Sequence, residues 1–254
     1  MKLSIVIPCY NERDTIAECL VRVVAALPDV AKEIVIVDDG SRDGTRDWLA
    51  RHAALTGRDC ALQIDERGDL RVSAGSGREF SIHVVLHERN RGKGGALQTG
   101  FAAVTGDLVV IQDADLEYDP NDWAMMYDLI ARKCVADVVY GSRFYGRPHR
   151  ALYFHHYLAN RLISFLFNAL YDQTLTDIEV CYKMFTREVL ASMRLSANDF
   201  GIEVQMSAQM ARARKWRIYE LGISYYGRTY DEGKKINWKD GVKALWYLFK
   251  YRFE

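Results

Sequence analysis

The feature that most constrains this chain is an alternation of short apolar runs with helix-period segments through its first half. Residues 3–8 and 34–37 are continuously apolar, which is typical of strands buried on both faces of a sheet. Residues 14–27 lie between them and carry apolar side chains at helical spacing. Because such β–α units favour parallel strands joined by crossover helices, the sequence predicts an α/β fold with a Rossmann-like, mostly parallel central sheet flanked by helices.

The same alternation continues along the chain. We predict strands over residues 83–87, 108–112 and 137–140, and helices over residues 45–55, 94–104 and 122–133. Residues 57–81 interrupt the rhythm with two alternating segments, which indicates an inserted β-hairpin, with a loop lacking regular structure as the alternative. An amphipathic segment over residues 236–254 predicts a C-terminal helical extension, and we expect residues 1–254 to form a single domain.

Composition excludes several classes of protein. The chain is 49% hydrophobic, which argues against disorder, and its 34 basic and 34 acidic residues give no reason to expect nucleic acid as a partner. The cysteines show no CxxC spacing, so neither a zinc site nor a disulfide framework is indicated. No window is apolar enough to span a membrane and the N-terminus lacks a signal peptide, so we expect a reduced, cytoplasmic protein.

Polar clusters follow the predicted strands at the edge of the sheet where α/β proteins bind ligands. Two of them are Pro8-Cys9-Tyr10-Asn11-Glu12 and Val37-Asp38-Asp39-Gly40-Ser41. An acidic residue after the second strand can accept hydrogen bonds from a ribose or a base. Each cluster also has a structural explanation, because Asn11 can cap a helix and Ser41 or Asp43 can cap the next one.

A third cluster places two carboxylates two residues apart after an apolar strand, at Asp113-Ala114-Asp115. On an extended segment, side chains at i and i+2 point the same way, so these carboxylates would repel each other and raise one pKa. A hard divalent cation removes that repulsion, and a set of oxygen ligands favours Mg²⁺ or Mn²⁺ over zinc. The cluster therefore predicts a divalent metal site at the end of the strand.

In their order along the chain, these motifs resemble those of the family 2 glycosyltransferases of GT-A fold. The resemblance is carried by Pro8-x-Tyr10-Asn11-Glu12, Val37-Asp38-Asp39-Gly40-Ser41, Asn90-x-Gly92-Lys93-Gly94, Asp113-Ala114-Asp115, Gly141-Ser142-Arg143-Phe144 and the segment from Tyr226 through Arg228 to Lys234. Within that family the chain is most similar to polyprenyl-phosphate sugar synthases, such as dolichyl-phosphate mannose and glucose synthases. The resemblance covers almost the whole chain except the 57–81 insertion.

The resemblance implies a role for each matched position. A UDP- or GDP-hexose would be bound by residues from the strand-end motifs, namely Pro8, Tyr10, Asn11, Glu12, Val37, Asp39, Lys93 and Ala114. The metal on its diphosphate would be held by Asp113 and Asp115, with Glu117 as a third ligand, so that Asp115 also counts as catalytic. Arg228 and Lys234 would close over the diphosphate from a mobile loop, and a solvated charged loop is the structural alternative for both.

The resemblance also implies an in-line displacement that inverts the anomeric carbon, and the acceptor decides which other groups are needed. A phosphate monoester has its second pKa at about 6, so it is largely anionic at pH 7 and needs cations to position it. Arg143 and Arg161 are the candidates for that task. A hydroxyl acceptor would need a carboxylate base, for which Asp177, Glu179 and Glu203 remain open, with helix capping as the alternative for Glu203.

Two segments favour a lipid acceptor at a membrane surface. Residues 152–171 predict an aromatic-rich helix, which is either an ordinary core helix or a helix lying at a membrane interface. Residues 201–254 contain 11 Lys or Arg against 6 Asp or Glu, interleaved with aromatic residues, a mixture that suits anionic headgroups. Because many relatives continue into transmembrane helices and this sequence stops at Glu254, we expect peripheral attachment to the cytosolic face, or attachment through an integral membrane partner.

The leading hypothesis is transfer of a hexose from a nucleotide sugar to a polyprenyl phosphate, undecaprenyl or dolichyl. One alternative keeps the donor chemistry and uses a hydroxyl of a glycan or small molecule. The other is a nucleotide-sugar-binding subunit without catalysis, against which the intact Asp113, Asp115, Arg228 and Lys234 argue. The histidines show no metal spacing, and we expect them to be structural or exposed.

Overall fold

The computed structural model describes residues 1–75, 77–146, 148–151, 153–229, 231–232 and 238–253. Strands and helices follow one another along these ranges in the order β1(Leu3–Cys9), α1(Ile16–Ala25), β2(Lys32–Asp38), α2(Thr45–Arg51), β3(Thr56–Gly57), β4(Cys60–Ile64), β5(Leu70–Ala74), β6(Phe80–Leu86), α3(Gly92–Ala103), β7(Leu108–Ile111), α4(Trp123–Tyr127), β8(Val138–Ser142), α5(Phe154–Tyr171), β9(Lys183–Thr186), α6(Arg187–Ser192), α7(Gly201–Arg212), β10(Ile218–Gly222) and α8(Trp238–Phe253). A 3₁₀ turn precedes α4 and a π-helical turn extends it.

Eight of the described strands form one central sheet, in the order β10-β8-β9-β7-β1-β2-β6-β3. Neighbouring strands among β7, β1, β2 and β6 are parallel, as are β8 and β10, whereas β9 and β3 run antiparallel to their neighbours. Almost every residue of β1, β2 and β7 is buried, as expected for parallel strands covered on both faces. The mostly parallel α/β sheet predicted from the sequence is confirmed.

The inserted hairpin is also present. Strands β4 and β5 pair in antiparallel register as a separate two-stranded sheet. The insertion is narrower than residues 57–81, because Gly57 belongs to β3 and Phe80 begins β6, and both strands are part of the central sheet. The indole of Trp48 on α2 donates a hydrogen bond to the carbonyl of Gly68 in the hairpin turn at 2.9 Å, which ties the insertion to the main body.

Helices α5, α7 and α8 pack against one another beside the sheet. Gly201 at the start of α7 allows α8 to approach closely, because a Cβ at this position would lie 2.1 Å from the ring of Tyr247. The buried side of α5 is formed by Ile163, Phe167 and Tyr171, while much of its opposite side is exposed. Within the described ranges, no helix combines the length and apolar character that a membrane crossing requires.

Candidate active site

A cavity of about 980 Å³ lies beyond the carboxyl ends of β1, β2 and β7 and extends to α5, α7 and α8. Parallel strands bring their carboxyl ends to one edge of the sheet, so the strand-end residues converge on it, namely Pro8, Tyr10, Glu12, Asp39, Asp113, Ala114, Asp115 and Glu117. Predicted site residues from other elements also line it, namely Lys93, Arg143, Glu203 and Arg228. Most of the predicted donor site is therefore assembled at this cavity.

Some predicted site residues do not line the cavity. Val37 is fully buried in β2 with a methyl group facing Gly100, so its side chain is not part of the cavity wall. Asn11 neither lines the cavity nor caps α1, since its Oδ1 accepts from the Arg42 backbone N–H at 2.8 Å and joins the loops after β1 and β2. Arg161 is exposed on α5 away from the cavity wall. Lys234 lies outside the described residues.

Arg228 joins the acidic clusters that follow β1 and β7. Its guanidinium lies 2.9 Å from Asp115 Oδ2, 3.2 Å from Glu117 Oε1 and 3.5 Å from Glu12 Oε2. Its backbone N–H also donates to Glu117 at 2.9 Å. The side chain is 20% exposed, so the solvated-loop alternative for Arg228 is wrong. This arginine is a cation held among three carboxylates at the cavity wall.

The loop after β7 concentrates negative charge. Burial raises the pKa of Asp115 to about 7, the carboxylates of Asp113 and Glu117 raise it in the same direction, and Arg228 lowers it. The repulsion predicted from the two-residue spacing is therefore present. A carboxyl group in this setting gains stability from either a proton or a second cation.

Among the described residues, the cavity lining carries an excess of acids. Seven described carboxylate residues line it against three described cationic residues, namely Glu12, Asp39, Asp113, Asp115, Glu117, Glu179 and Glu203 against Lys93, Arg143 and Arg228. An anionic ligand needs added positive charge to enter such a cavity. Asp113 and Asp115 suit Mg²⁺ or Mn²⁺ in their donor chemistry, because these ions prefer oxygen and Mg²⁺ usually takes only one or two protein carboxylates.

Glu117 is occupied by protein groups in this structure. The hydroxyl of Tyr225 donates to its Oε2 at 2.8 Å, and Arg228 binds its Oε1. Across the described part of the chain, no three His, Cys, Asp or Glu side chains converge as a metal cage. The three-carboxylate set that includes Glu117 is therefore not assembled. Asp113 and Asp115 are themselves paired with Lys93 and Arg228, and their oxygens are the donor set whose chemistry fits a metal.

A chain of alternating charges runs from the acidic loop into α7. Lys93 Nζ lies 2.9 Å from Asp113 Oδ1 and 3.3 Å from Glu203 Oε1, and Lys183 Nζ lies 2.6 Å from Glu203 Oε2. Burial alone would lower the pKa of Lys93. The nearby Asp113, with smaller effects from Cys181 and Glu203, instead raises the pKa well above its usual value. Glu203 is thus paired with two lysines, so it is neither a free general base nor a helix cap.

Lys183 is a buried charged residue of this network that the sequence pattern does not predict. It is fully buried in β9 and also donates to the carbonyl of Val180. The available signal is a lysine inside the apolar run of residues 180–185, because a buried lysine requires a partner of opposite charge. The identity of that partner, Glu203, depends on a contact between β9 and α7 that sequence spacing does not reveal.

The glycine-rich start of α3 is shaped by close backbone contacts. A Cβ at Gly94 would lie 2.1 Å from the carbonyl oxygen of Ala197, so only glycine allows this approach. Asp39 accepts from the backbone N–H groups of Arg91 and Gly92 at 2.8 Å, and His87 Nδ1 lies 2.8 Å from the same carboxylate. Asp39 therefore holds the start of α3 at the cavity while both its oxygens already accept hydrogen bonds.

Arg143 and Asp177 form a buried bidentate ion pair. Arg143 Nε lies 2.7 Å from Asp177 Oδ2 and its Nη2 lies 2.8 Å from Oδ1, while the Arg143 backbone N–H donates to Oδ2 at 3.1 Å. Asp177 is fully buried, is paired with Arg143 and does not line the cavity, so the structure does not place it as a free general base. Its carboxylate instead orients Arg143, whose pKa stays well above its usual value because Asp177 outweighs the effect of burial.

Two histidines also lie at the cavity. His155 and His156 at the start of α5 line the cavity, with ring centroids 4.5 Å apart, although sequence spacing gives them no role. Glu179 lines the same cavity, and burial raises its pKa to about 7. These three side chains extend the titratable part of the cavity beyond the metal and donor motifs.

Part of the cavity wall is apolar. It is formed by α5 through Ala159, Leu162 and Ile163, and by α8 through Val242 and Leu245. Outside the cavity the same two helices expose large apolar side chains, and we call this set the α5–α8 apolar face: Phe154, Leu158, Leu162, Phe165, Val242, Trp246, Phe249 and Phe253. Leu162 and Val242 belong to both surfaces, so the cavity wall continues onto an exposed apolar face.

Comparison with known proteins agrees with this architecture. A family model described as glycosyl transferase family 2 matches residues 4–194. The chain is 32% identical over 234 residues to an undecaprenyl-phosphate 4-deoxy-4-formamido-L-arabinose transferase of Edwardsiella ictaluri, covering 91% of this chain and 62% of the relative. A homologous transferase from Sodalis glossinidius is covered over 51% of its length, so the chain spans about half to three fifths of these relatives.

Two further similarities cover more of the matched proteins. The chain is 28% identical to an undecaprenyl-phosphate mannosyltransferase of Micrococcus luteus, covering 92% of this chain and 87% of the relative. A solved structure of glucosyl-3-phosphoglycerate synthase from Mycobacterium tuberculosis, with Mn²⁺, UDP-glucose and phosphoglyceric acid, superposes with a TM-score of 0.69 at 18% identity, covering 99% and 80% of the two chains. The resemblance predicted from the motifs is thus confirmed, and the chain belongs to glycosyl transferase family 2, with the GT-A fold.

Proposed function

We propose that this protein is a metal-dependent, inverting glycosyltransferase that moves a hexose from a UDP- or GDP-sugar to a polyprenyl phosphate. The observation that carries the proposal is the make-up of one cavity, which is lined both by an acidic, cation-bridged cluster and by apolar side chains of α5 and α8. The cluster suits a nucleoside diphosphate, and the apolar side chains suit an isoprenoid chain next to its phosphate. Relatives that act on undecaprenyl phosphate support the same class of acceptor.

On the donor side, Asp113 and Asp115 would hold Mg²⁺ or Mn²⁺, which when bound neutralises charge on the departing diphosphate. Tyr10 offers an aromatic surface at the end of β1 where the base can pack. Arg228 is held by carboxylates at the same wall, and a guanidinium can bind phosphate oxygens in bidentate fashion. We therefore expect Arg228 to exchange a carboxylate for the diphosphate when the donor binds.

On the acceptor side, a phosphate oxygen can attack without a general base, because the phosphate is already ionised near neutral pH. Two of the carboxylates considered as bases are held in ion pairs, Asp177 with Arg143 and Glu203 with Lys183. Arg143 uses its Nε and Nη2 on Asp177 and Asn160, and its Nη1 makes no hydrogen bond to any described residue. This free edge at the cavity is the group that we expect to position the acceptor phosphate.

The decisive experiment is a transfer assay with undecaprenyl phosphate and a panel of UDP- and GDP-hexoses, with Mn²⁺ or with EDTA. The proposal predicts a lipid-linked sugar with at least one donor, formed only with the metal. Arg143→Ala should impair transfer to the lipid more than donor binding, whereas Arg217→Ala, which removes an exposed bidentate arginine on Asp137, should leave transfer unchanged. Transfer without metal, or only to a hydroxyl acceptor, would refute the proposal.

We further propose that the α5–α8 apolar face rests on the cytosolic surface of the membrane as a peripheral contact. Amphipathic helices with exposed aromatic residues bind at lipid interfaces, and this face continues from the cavity where the lipid phosphate would react. Co-sedimentation with anionic vesicles should drop for Phe165→Glu and Trp246→Glu. Val72→Glu, at an exposed apolar residue of the hairpin, is the matched control. Equal loss of binding in all three variants would contradict this orientation.

A further inference from the structure

Glu179 is a cavity carboxyl group that the mechanism described so far does not use. It lies in the segment between α5 and β9, where its neighbours Ile178 and Val180 are fully buried while Glu179 lines the cavity. Among the described residues, no group donates a hydrogen bond to its carboxylate and no cation lies within ion-pair distance of it. The other acids considered as bases, Asp177 and Glu203, both have such partners.

The backbone that presents Glu179 is firmly held. Glu220 accepts hydrogen bonds from the backbone N–H of Thr176 at 2.8 and 3.0 Å, just before the segment. The backbone N–H of Ile178 donates to Ser164 Oγ at 3.3 Å, which ties the segment to α5. The position of Glu179 is therefore set by the fold, and its carboxyl group points at the cavity from a fixed backbone.

Charged groups surround Glu179 but are already neutralised by one another. Arg143 is paired with Asp177, and Lys183 is paired with Glu203. Burial is the main cause that raises the pKa of Glu179 to about 7, since the lowering by Arg143 and Lys183 is offset by Asp177 and Glu203. A partly buried carboxyl group that has no partner among the described residues favours the neutral acid, which can donate a hydrogen bond.

We propose that Glu179 binds the acceptor phosphate as the neutral carboxylic acid, donating a hydrogen bond to a phosphate oxygen beside Arg143. This inference rests on the proposed function. A dianionic phosphate next to an ionised Glu179 would meet like-charge repulsion in a cavity already rich in carboxylates. When Glu179 keeps its proton and donates it in a hydrogen bond to the phosphate, Glu179 and the phosphate together carry one negative charge less than if both were fully ionised. Arg143 Nη1 can bind the same phosphate.

The chemistry predicts a pH dependence of acceptor binding. Above pH 7 the phosphate is already largely dianionic, whereas Glu179 loses its proton, so the apparent acceptor affinity should fall about tenfold per pH unit. His155, His156 and Asp115 also line the cavity, and the pKa of Asp115 is likewise raised to about 7 by burial and nearby carboxylates. If Glu179 is the titrating group, a variant with both histidines replaced by Gln should keep the same pH profile, whereas Glu179→Gln should lose it.

The test measures KM for undecaprenyl phosphate and for the donor between pH 6.5 and 8.5. Glu179→Gln keeps a hydrogen-bond donor and does not ionise, so kcat should stay within about threefold of the unsubstituted protein at pH 7 and the acceptor KM should become independent of pH. Glu179→Ala should raise the acceptor KM at least tenfold at pH 7 while leaving the donor KM unchanged. A merely structural role would move both KM values together.

Two results would overturn the inference while leaving the proposed function intact. The first is an acceptor KM of the unsubstituted protein that does not change between pH 7 and 8.5. The second is a loss of about 10² to 10⁴ in kcat for Glu179→Gln at unchanged acceptor KM, which is the behaviour of a general base. If the unsubstituted protein forms no product with any polyprenyl phosphate, the proposed function itself fails and this inference with it.

Discussion

Replacing Asp177 by Asn separates an orienting role from a catalytic one. The substitution keeps the size of the side chain but removes the charge that binds Arg143 through two side-chain hydrogen bonds of 2.7 and 2.8 Å. The Asp177 side chain is 0% exposed and that of Arg143 is 13% exposed, so little water can reach the edge of the guanidinium that Asp177 binds. The guanidinium is left buried without its counter-charge.

The size of the effect follows from that burial. Breaking a buried ion pair by removing one partner costs about 3 to 5 kcal/mol, because the other charge stays uncompensated. At roughly 2 to 4 °C per kcal/mol for a domain of this size, we expect Tm to fall by about 6 to 20 °C. Transfer to the lipid phosphate should fall as well, since Arg143 loses its fixed orientation, while donor binding should be largely retained.

Asp137→Asn is the matched control for this prediction. Asp137 also forms a bidentate pair, with Arg217, but the two side chains are 20% and 54% exposed. An exposed pair contributes about 0 to 1 kcal/mol, so Tm should change by no more than about 4 °C. The assay is thermal unfolding of both variants beside their transfer rates. An Asp177→Asn protein that is as stable as the unsubstituted protein and yet loses 10²-fold or more in kcat would refute the reasoning and restore Asp177 as a base.

Three further predictions concern packing, acid stability and the metal site. Gly201→Ala should lower the free energy of unfolding by about 1 to 3 kcal/mol, because the added Cβ meets the Tyr247 ring. Gly241→Ala is the control, since a Cβ there meets nothing within 4 Å, and it should leave the free energy of unfolding unchanged or raise it. Denaturant titration of both variants measures the difference. For Glu33, hydrogen bonds from Ser4 and Thr105 outweigh burial and lower its pKa from 4.5 to about 2. The stabilisation by Glu33 is therefore present above pH 4.5 and lost as the pH falls through 2. Denaturation of Glu33→Gln, measured between pH 2 and 7, should lack this part of the acid dependence. A Glu33→Gln protein with the same pH dependence as the unsubstituted protein would contradict the prediction. The pKa of Asp115 is raised by burial and nearby carboxylates to about 7, so stability without metal should fall as the pH rises through 7. Asp115→Asn should remove this fall in stability and should reduce metal-dependent transfer by roughly 10²-fold or more. If the Tm of Asp115→Asn still drops with rising pH as in the unsubstituted protein, Asp115 is not the group that titrates.

The central strands are predictable because parallel strands buried on both faces consist of apolar runs, as residues 34–37 do. Their ends are less predictable, since β2 begins with Lys32 and Glu33, which are buried although charged. Lys32 donates to the carbonyl of Val24 and Glu33 accepts from Ser4, so distant partners satisfy both groups. A hydrophobicity pattern contains no information about such partners, and β9, which begins with the buried Lys183, is missed for the same reason.

The candidate site shows a similar division. The strand-end motifs converge as predicted because the topology of a parallel sheet brings successive carboxyl ends to one edge. The state of each carboxylate is not predictable from spacing, because it depends on which cation reaches it. Asp177 is held by Arg143 and Glu203 by two lysines, whereas Glu179 has no such partner in the part of the chain that the structure describes. The apparent equivalence of three acids in the sequence is therefore resolved by contacts between distant segments.

The most direct test of the central claim is a crystal structure of the protein with Mn²⁺ and the donor that the transfer assay selects, recorded at a wavelength where manganese scatters anomalously. We predict an anomalous peak bound by Asp113 or Asp115 and by the donor diphosphate, with Arg228 moved from the carboxylates onto the phosphate. A donor bound in another part of the molecule, or a diphosphate in this cavity with no manganese beside these carboxylates, would contradict the account.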